Sequence, residues 1–270
     1  MQAPLLLVTR PEPQASEWVQ QLQQRGCRAR ALPLIRIEAL PNLPVDPPKP
    51  NQTNHDWHAV LFVSPSAVTH CPSTWLNTWF SGKQPAPRAW TPGPGTAAAL
   101  QQMAQALRLP PFQLDAPNRQ AQQFDSESLW LQVKTQIQPG DNVLILRGSD
   151  SPIDSDSNQE GAGREWLADQ IKAQQGQVHY QAVYQRQAPT QLPDWVQQEK
   201  PSDLVWLFSS SQAVQYLQRC SPHDHWQQGR ALATHPRIAQ AATQMGFANV
   251  QVIPPEPDAI AQALHARLSL

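Results

Sequence analysis

Small hydroxyl residues and glycine stand where apolar runs give way to helical spacing at three places: Ser64-Pro65-Ser66, Ser209-Ser210-Ser211 and Pro92-Gly93-Pro94-Gly95-Thr96. Each reads as a turn from a strand into a helix. At such a turn the first helical N–H groups have no intrahelical partner and carry partial positive charge, so short hydroxyl side chains complete a compact anion site. Arg10 and Arg147 end two matching apolar strands, and Gly148 follows the second. Together these turns and cations have the chemistry to grip several carboxylates of one ligand. The competing assignment is that each Ser or Thr is an ordinary N-cap contributing about 1 kcal/mol to its helix. Recurrence at equivalent places along the chain favours the anion assignment.

That recurrence is the main clue to organisation. Leu61-Phe62-Val63-Ser64-Pro65-Ser66-Ala67-Val68 returns as Leu207-Phe208-Ser209-Ser210-Ser211-Gln212-Ala213-Val214. Leu5 to Arg10 is answered by Val143 to Gly148, and Arg88 to Pro94 by Arg230 to Pro236. Two similar halves predict two lobes facing across a cleft, where ligands bind.

The elements that must position these turns alternate. Leu5 to Thr9 is an apolar run too short for a helix, and from Ser16 the positions Trp18, Val19 and Leu22 follow helical spacing up to Gly26. Strands are predicted at Arg30 to Ile37, Ala59 to Val63, Arg88 to Trp90, Val143 to Leu146, Val178 to Tyr184, Leu204 to Phe208, Ala231 to Thr234 and Asn249 to Ile253. Helices are predicted at Ser64 to Thr69, Thr96 to Leu107 and Gly163 to Gln174. This grammar implies an α/β protein with flavodoxin-like parallel sheets, whose ligands sit at the carboxyl ends of the strands. Pro41 to Pro50 and the Pro/Gln stretch Gln185 to Pro193 read as connectors. Ser149 to Gly163 reads as a flexible Ser/Asp-rich insertion. Its Asp154, Asp156, Asn158 and Glu165 fall at calcium-loop spacing, but Gln159 stands where that loop needs glycine.

Composition excludes several classes. With 20 basic and 21 acidic residues there is no global field for nucleic acid or an anionic membrane surface. No apolar run reaches the ~20 residues of a membrane span, and the chain opens without a basic, then apolar, export signal. The three cysteines, Cys27, Cys71 and Cys220, are odd in number and widely spaced, which predicts reduced thiols filling space in a cytoplasmic protein. Trp57, Trp75, Trp79, Trp195 and Trp226 are expected to pack rather than to stack on a ligand. A dinucleotide oxidoreductase is excluded, since Arg10-Pro11-Glu12-Pro13 and Gly93-Pro94-Gly95 both lack the three-glycine fingerprint.

Seven segments, in order, resemble the uroporphyrinogen-III synthase family. They are Leu7-Val8-Thr9-Arg10-Pro11, Ala31-Leu32-Pro33-Leu34-Ile35, Phe62 to Val68, Gly93-Pro94-Gly95-Thr96-Ala97, Leu144-Ile145-Leu146-Arg147-Gly148, Val183-Tyr184 and Phe208-Ser209-Ser210. The resemblance implies a cofactor-free enzyme that dehydrates and closes the linear tetrapyrrole hydroxymethylbilane, inverting the last ring. It also implies two lobes with exchanged segments, residues 1–37 with 186–270 and residues 40–184, joined by two strand-like linkers. A monomer is expected, with transient contact with the upstream deaminase left open.

Such a substrate suits a near-neutral protein that offers scattered N–H groups, hydroxyls and a few arginines. Loss of the terminal hydroxyl gives an electron-poor azafulvene, which the substituted carbon of the last ring attacks to form a spiro intermediate. The free bilane closes without inversion, so the enzyme's main task is to hold the chain in the curl that favours the substituted carbon. The resemblance makes Tyr184 the candidate acid for the departing hydroxyl, since a phenol donates without a charge to desolvate. It makes Arg10, Ser64, Ser66, Thr96, Arg147, Gly148, Ser209, Ser210, His235 and Arg237 the candidate substrate-binding residues. Tyr184 as a strand-edge residue is the competing assignment, and Tyr180 is so classified. One turn departs from the family pattern: in Thr234-His235-Pro236-Arg237-Ile238, Ile238 stands where a threonine is usual. Arg237 or backbone N–H groups are expected to replace that grip, and His235 reads as a polar loop residue. The alternative function is a non-enzymatic two-lobed receptor for a small anion.

Overall fold

The computed structural model describes residues 3–50, 56–81, 85–117, 126–150, 162–221 and 228–266. Two compact units divide the chain: Met1–Ile37 with Gln187–Leu270, and Glu38–Arg186.

The first unit is built on five strands, β1 (Leu5–Val8), β2 (Ala29–Ala31), β9 (Leu204–Phe208), β10 (Arg230–Ala233) and β11 (Asn249–Val252). Their order is β11-β10-β9-β1-β2, and every pairing is parallel. All four residues of β1 are buried because a parallel sheet is covered on both faces. Alternation still sorts them. Leu5 and Leu7 pack with Trp206, Phe208 and Phe247, whereas Leu6 and Val8 pack with Leu22, Val205, Leu207 and Ile260. The helices α1 (Gln14–Gln24), α8 (Ser211–Cys220), α9 (Pro236–Met245) and α10 (Pro257–Ala266) supply the covering layers.

The second unit holds β4 (Trp57–Phe62), β5 (Arg88–Trp90), β6 (Leu114–Asp115), β7 (Asn142–Asp150) and β8 (Gln177–Gln187), with β3 (Arg36–Ala39) at the edge. The sheet order is β3-β8-β7-β4-β5-β6, parallel from β8 to β6. Helices α2 (Pro65–Thr69), α3 (Ser73–Phe80), α4 (Pro94–Ala106), α5 (Ser126–Val133) and α6 (Ala162–Ala173) belong to it. Between the units' strands in sequence lies the short α7 (Asp194–Gln198).

Both sheets follow one plan. If β1 and β2 are the first pair of one unit and β7 and β8 the first pair of the other, each sheet reads in the flavodoxin order 2-1-3-4-5. The third to fifth strands come from the opposite half of the sequence in each case: β9 to β11 join β1 and β2, and β4 to β6 join β7 and β8. Repeated halves with exchanged segments are thus present in the strand order itself.

Three details differ from the sequence reading. Arg30 to Ile37 is not one strand, because Pro33 has no N–H for the ladder and β2 stops at Ala31 before β3 begins at Arg36. Gln185 to Pro193 is only partly a connector, since β8 runs on through Gln187. The proline-rich stretch from Pro41 is irregular, as expected, but it is tied down: Trp57 Nε1 donates to the Pro48 carbonyl at 2.9 Å and Trp75 Nε1 to the Pro44 carbonyl at 3.0 Å. Those two tryptophans and Trp79 are buried, and Trp195 packs against the first unit's core. Trp226 lies outside the described residues, as do Asp154, Asp156, Asn158 and most of the Ser149 to Gly163 insertion. Cys27, Cys71 and Cys220 are free thiols, and burial pushes all three up from their ordinary value.

Candidate active site

The hydroxyl turns of the second unit lie at the carboxyl ends of adjacent strands. β4 ends at Phe62, and the Val63 N–H donates to the Leu146 carbonyl of β7 at 3.3 Å, which keeps the two strand ends side by side. Ser64 is extended, φ −161°, and caps α2: its Oγ accepts from the Ala67 N–H at 3.2 Å. The same Oγ lies 3.2 Å from the Tyr184 hydroxyl. Tyr184, on β8, is 1% exposed.

Gly148 makes that seat possible. A bulge between Arg147 and Gly148 brings Gly148 into register with Tyr184 across β7 and β8. A Cβ at position 148 would stand 2.4 Å from Tyr184 Cε2 and 2.7 Å from Cζ, so only glycine lets the ring lie against β7. His70, at the end of α2, forms a further wall. Its Nδ1 is 2.9 Å from the Ser66 carbonyl, which requires the proton on Nδ1, and its ring centroid is 5.7 Å from that of Tyr184. In the sequence the only sign of His70 is its spacing four residues after Ser66, one helical turn on.

Thr96 is buried in the first turn of α4, and the cap residue Gly93 offers no side chain to the helix's free N–H groups. Thr91, two residues before that cap, is 0% exposed and its hydroxyl has no hydrogen-bond partner among the described residues. Arg147 is exposed, with its guanidinium 4.9 Å above the ring of Tyr180, which is itself exposed on β8. Thus Tyr184, Ser64 and Gly148 are in direct contact, while Ser66, Thr96 and Arg147 flank them on neighbouring strand ends or helices of the same unit.

The first unit carries its own set. The Thr9 hydroxyl donates to the Leu207 carbonyl at 2.7 Å, joining the ends of β1 and β9. Arg10 follows, its guanidinium stacked 4.1 Å from the Trp18 ring centroid, with one long bond, 3.5 Å, to Gln14. Its Nε is buried without a partner among the described residues, and burial pushes the group down from its ordinary value. Ser210 caps α8 by accepting from the Gln212 N–H at 3.1 Å, with Ser209 half-buried beside it.

His235 is more than a polar loop residue. It is the N-cap of α9, its Nδ1 accepting from the Arg237 N–H at 3.2 Å. That bond occupies one backbone donor expected to be open to an anion, whereas the Arg237 side chain stays exposed. Ile238, where a hydroxyl was expected, is 5% exposed and belongs to the apolar core, which explains the substitution. His235→Ala is expected to lower stability by about 0.5–2 kcal/mol, and His235→Ser to restore it, as read from urea midpoints.

Residues 16–262 match the family described as Uroporphyrinogen-III synthase HemD, nearly the whole chain. The chain belongs to the uroporphyrinogen-III synthase family. Solved structures agree on the fold. A uroporphyrinogen-III synthetase from Helicobacter pylori aligns over 98% of this chain and 99% of its own, at 13% identity and TM-score 0.56. A mutant uroporphyrinogen III synthase from Thermus thermophilus aligns over 99% of both chains, at 12% identity and TM-score 0.50. Identities this low make the likeness one of architecture. Membership in the uroporphyrinogen-III synthase family makes the chain an enzyme of tetrapyrrole synthesis, with hydroxymethylbilane as its small-molecule substrate. Among the described residues no helix is long and apolar enough to cross a membrane, and no group of three or more His, Cys, Asp or Glu could hold a metal ion.

Proposed function

We propose that this enzyme acts as a cyclising hydro-lyase that converts hydroxymethylbilane to uroporphyrinogen III with Tyr184 as the acid. The observation that carries the reading is the pair of hydroxyls, Tyr184 and Ser64, 3.2 Å apart at the carboxyl ends of parallel strands and backed by Gly148. A buried phenol beside a half-buried serine holds a proton without a charge to desolvate. Arg10, Arg147 and Arg237 supply positive charge for substrate carboxylates. Ser66, Thr96, Ser209, Ser210, His235 and the backbone at Gly148 line the strand ends as polar donors. Dehydration and ring closure leave the oxidation level unchanged, so the step as written needs no redox partner. The proposal includes a cytoplasmic monomer. The receptor alternative is not favoured, since the family is one of synthases.

The test is to incubate the protein with hydroxymethylbilane, oxidise the products and separate the porphyrin isomers. The III isomer is expected; a receptor would leave only the I isomer. Tyr184→Phe is expected to lower turnover by about 10²-fold, the usual contribution of a positioned acid, while the product remains the III isomer. Wild-type turnover in that variant would remove Tyr184 from the chemistry.

A further inference from the structure

We infer that Ser64, and not Tyr184, is the group that hands the proton to the substrate, with Tyr184 as the proton source behind it. The inference rests on the proposed reading of Tyr184 and follows from counting hydrogen-bond capacity at Ser64.

A serine oxygen accepts two hydrogen bonds and donates one. Ser64 Oγ accepts one from the Ala67 N–H. Its second neighbour is the Tyr184 hydroxyl, and the geometry allows either atom to donate. If Ser64 donated, the Tyr184 O–H would need another acceptor, yet Tyr184 is 1% exposed and Ser64 Oγ is the one partner its hydroxyl has among the described residues. A buried donor left unmade is costly. Tyr184 therefore donates to Ser64. Both acceptor positions of Ser64 are then filled, and its own O–H is directed away from both partners. Ser64 is half-buried where Tyr184 is enclosed. Of the pair, the serine is the residue with surface open to a ligand.

The step then balances as a relay. The Ser64 O–H gives its proton to the oxygen of the substrate's terminal hydroxymethyl group as that C–O bond breaks, its electron pair leaving with the water formed. Ser64 is refilled by the Tyr184 proton. The resulting phenolate regains a proton by the reverse route when the terminal ring loses the one on its unsubstituted carbon at closure. One water leaves and no charge is left on the enzyme.

Ser64→Ala would also remove a helix cap, so the informative variants are Ser64→Gly, which costs a cap position only slightly, and Ser64→Thr, which keeps the hydroxyl. The measurement is kcat and KM for hydroxymethylbilane in wild type, Ser64→Gly, Ser64→Thr, Tyr184→Phe and the Ser64→Gly/Tyr184→Phe double variant, with the isomer recorded. A relay predicts that Ser64→Gly lowers kcat about as much as Tyr184→Phe, roughly 10²-fold, with KM little changed. The double variant should be no slower than either single one, and Ser64→Thr should restore turnover. Multiplying losses in the double variant, a Ser64→Gly effect confined to KM, or near-normal kcat in Ser64→Gly beside a slow Tyr184→Phe would each overturn the relay while leaving Tyr184 as a direct acid. A Tyr184→Phe enzyme at full rate would instead overturn the proposed acid, and with it the relay.

Discussion

Gly148→Ala is expected to destabilise the protein by about 3 kcal/mol and to slow whatever folds to the level of Tyr184→Phe. The added methyl would sit 2.4 Å from Tyr184 Cε2, 2.7 Å from Cζ and 3.0 Å from Cδ2, so three ring atoms must move together. They have little room, because Tyr184 is among the largest fully buried side chains of the chain. The ring must leave its contact with Ser64 or push β7 from β8, and either outcome breaks the hydroxyl pair. The clash is pairwise, which gives the test its form. Gly148→Ala combined with Tyr184→Leu should regain much of the lost stability and none of the activity, a non-additive pair across two paired strands. Urea unfolding and steady-state turnover of the three variants measure it. Normal stability in Gly148→Ala alone would mean that ring and glycine do not meet as described.

Arg10→Met should do the opposite: stability held or raised, and KM for hydroxymethylbilane raised about 10- to 100-fold, the equivalent of one or two charge-assisted hydrogen bonds. A half-buried guanidinium with no carboxylate partner among the described residues carries a desolvation cost that the fold does not recover. Its Trp18 stack and its long bond to Gln14 orient it without using up its donors. Arg10→Lys should not rescue, because an ammonium offers neither the flat stacking face nor the fork that matches a carboxylate. A large stability loss with unchanged KM would make Arg10 a structural residue.

Much of this was legible in the sequence because the signals are short-range. Buried strands such as Leu5–Val8 and Leu204–Phe208 announce themselves as apolar runs, and Ser64 and Ser210 as residues that cap the helix beginning next to them. The recurrence of Leu61 to Val68 at Leu207 to Val214, and the family's segments around it, pointed to the repeated α/β plan and the chemistry. A cap, a turn and an alternation are fixed within a few residues, so their residue types report them directly.

The tertiary structure decided what depends on distant parts of the chain meeting. Ser64 and Tyr184 are 120 positions apart, and their contact exists only because β4 and β8 flank β7 in one sheet. The need for glycine at 148 arises from a bulge that shifts register by one residue, an effect invisible in either strand alone. His70 beside Tyr184, His235 as a cap and Ile238 as core likewise follow from where helices land. Residue types record local backbone preference, whereas register and burial belong to the packed chain, and those are the quantities that set the Tyr184 hydroxyl 3.2 Å from Ser64 across one sheet.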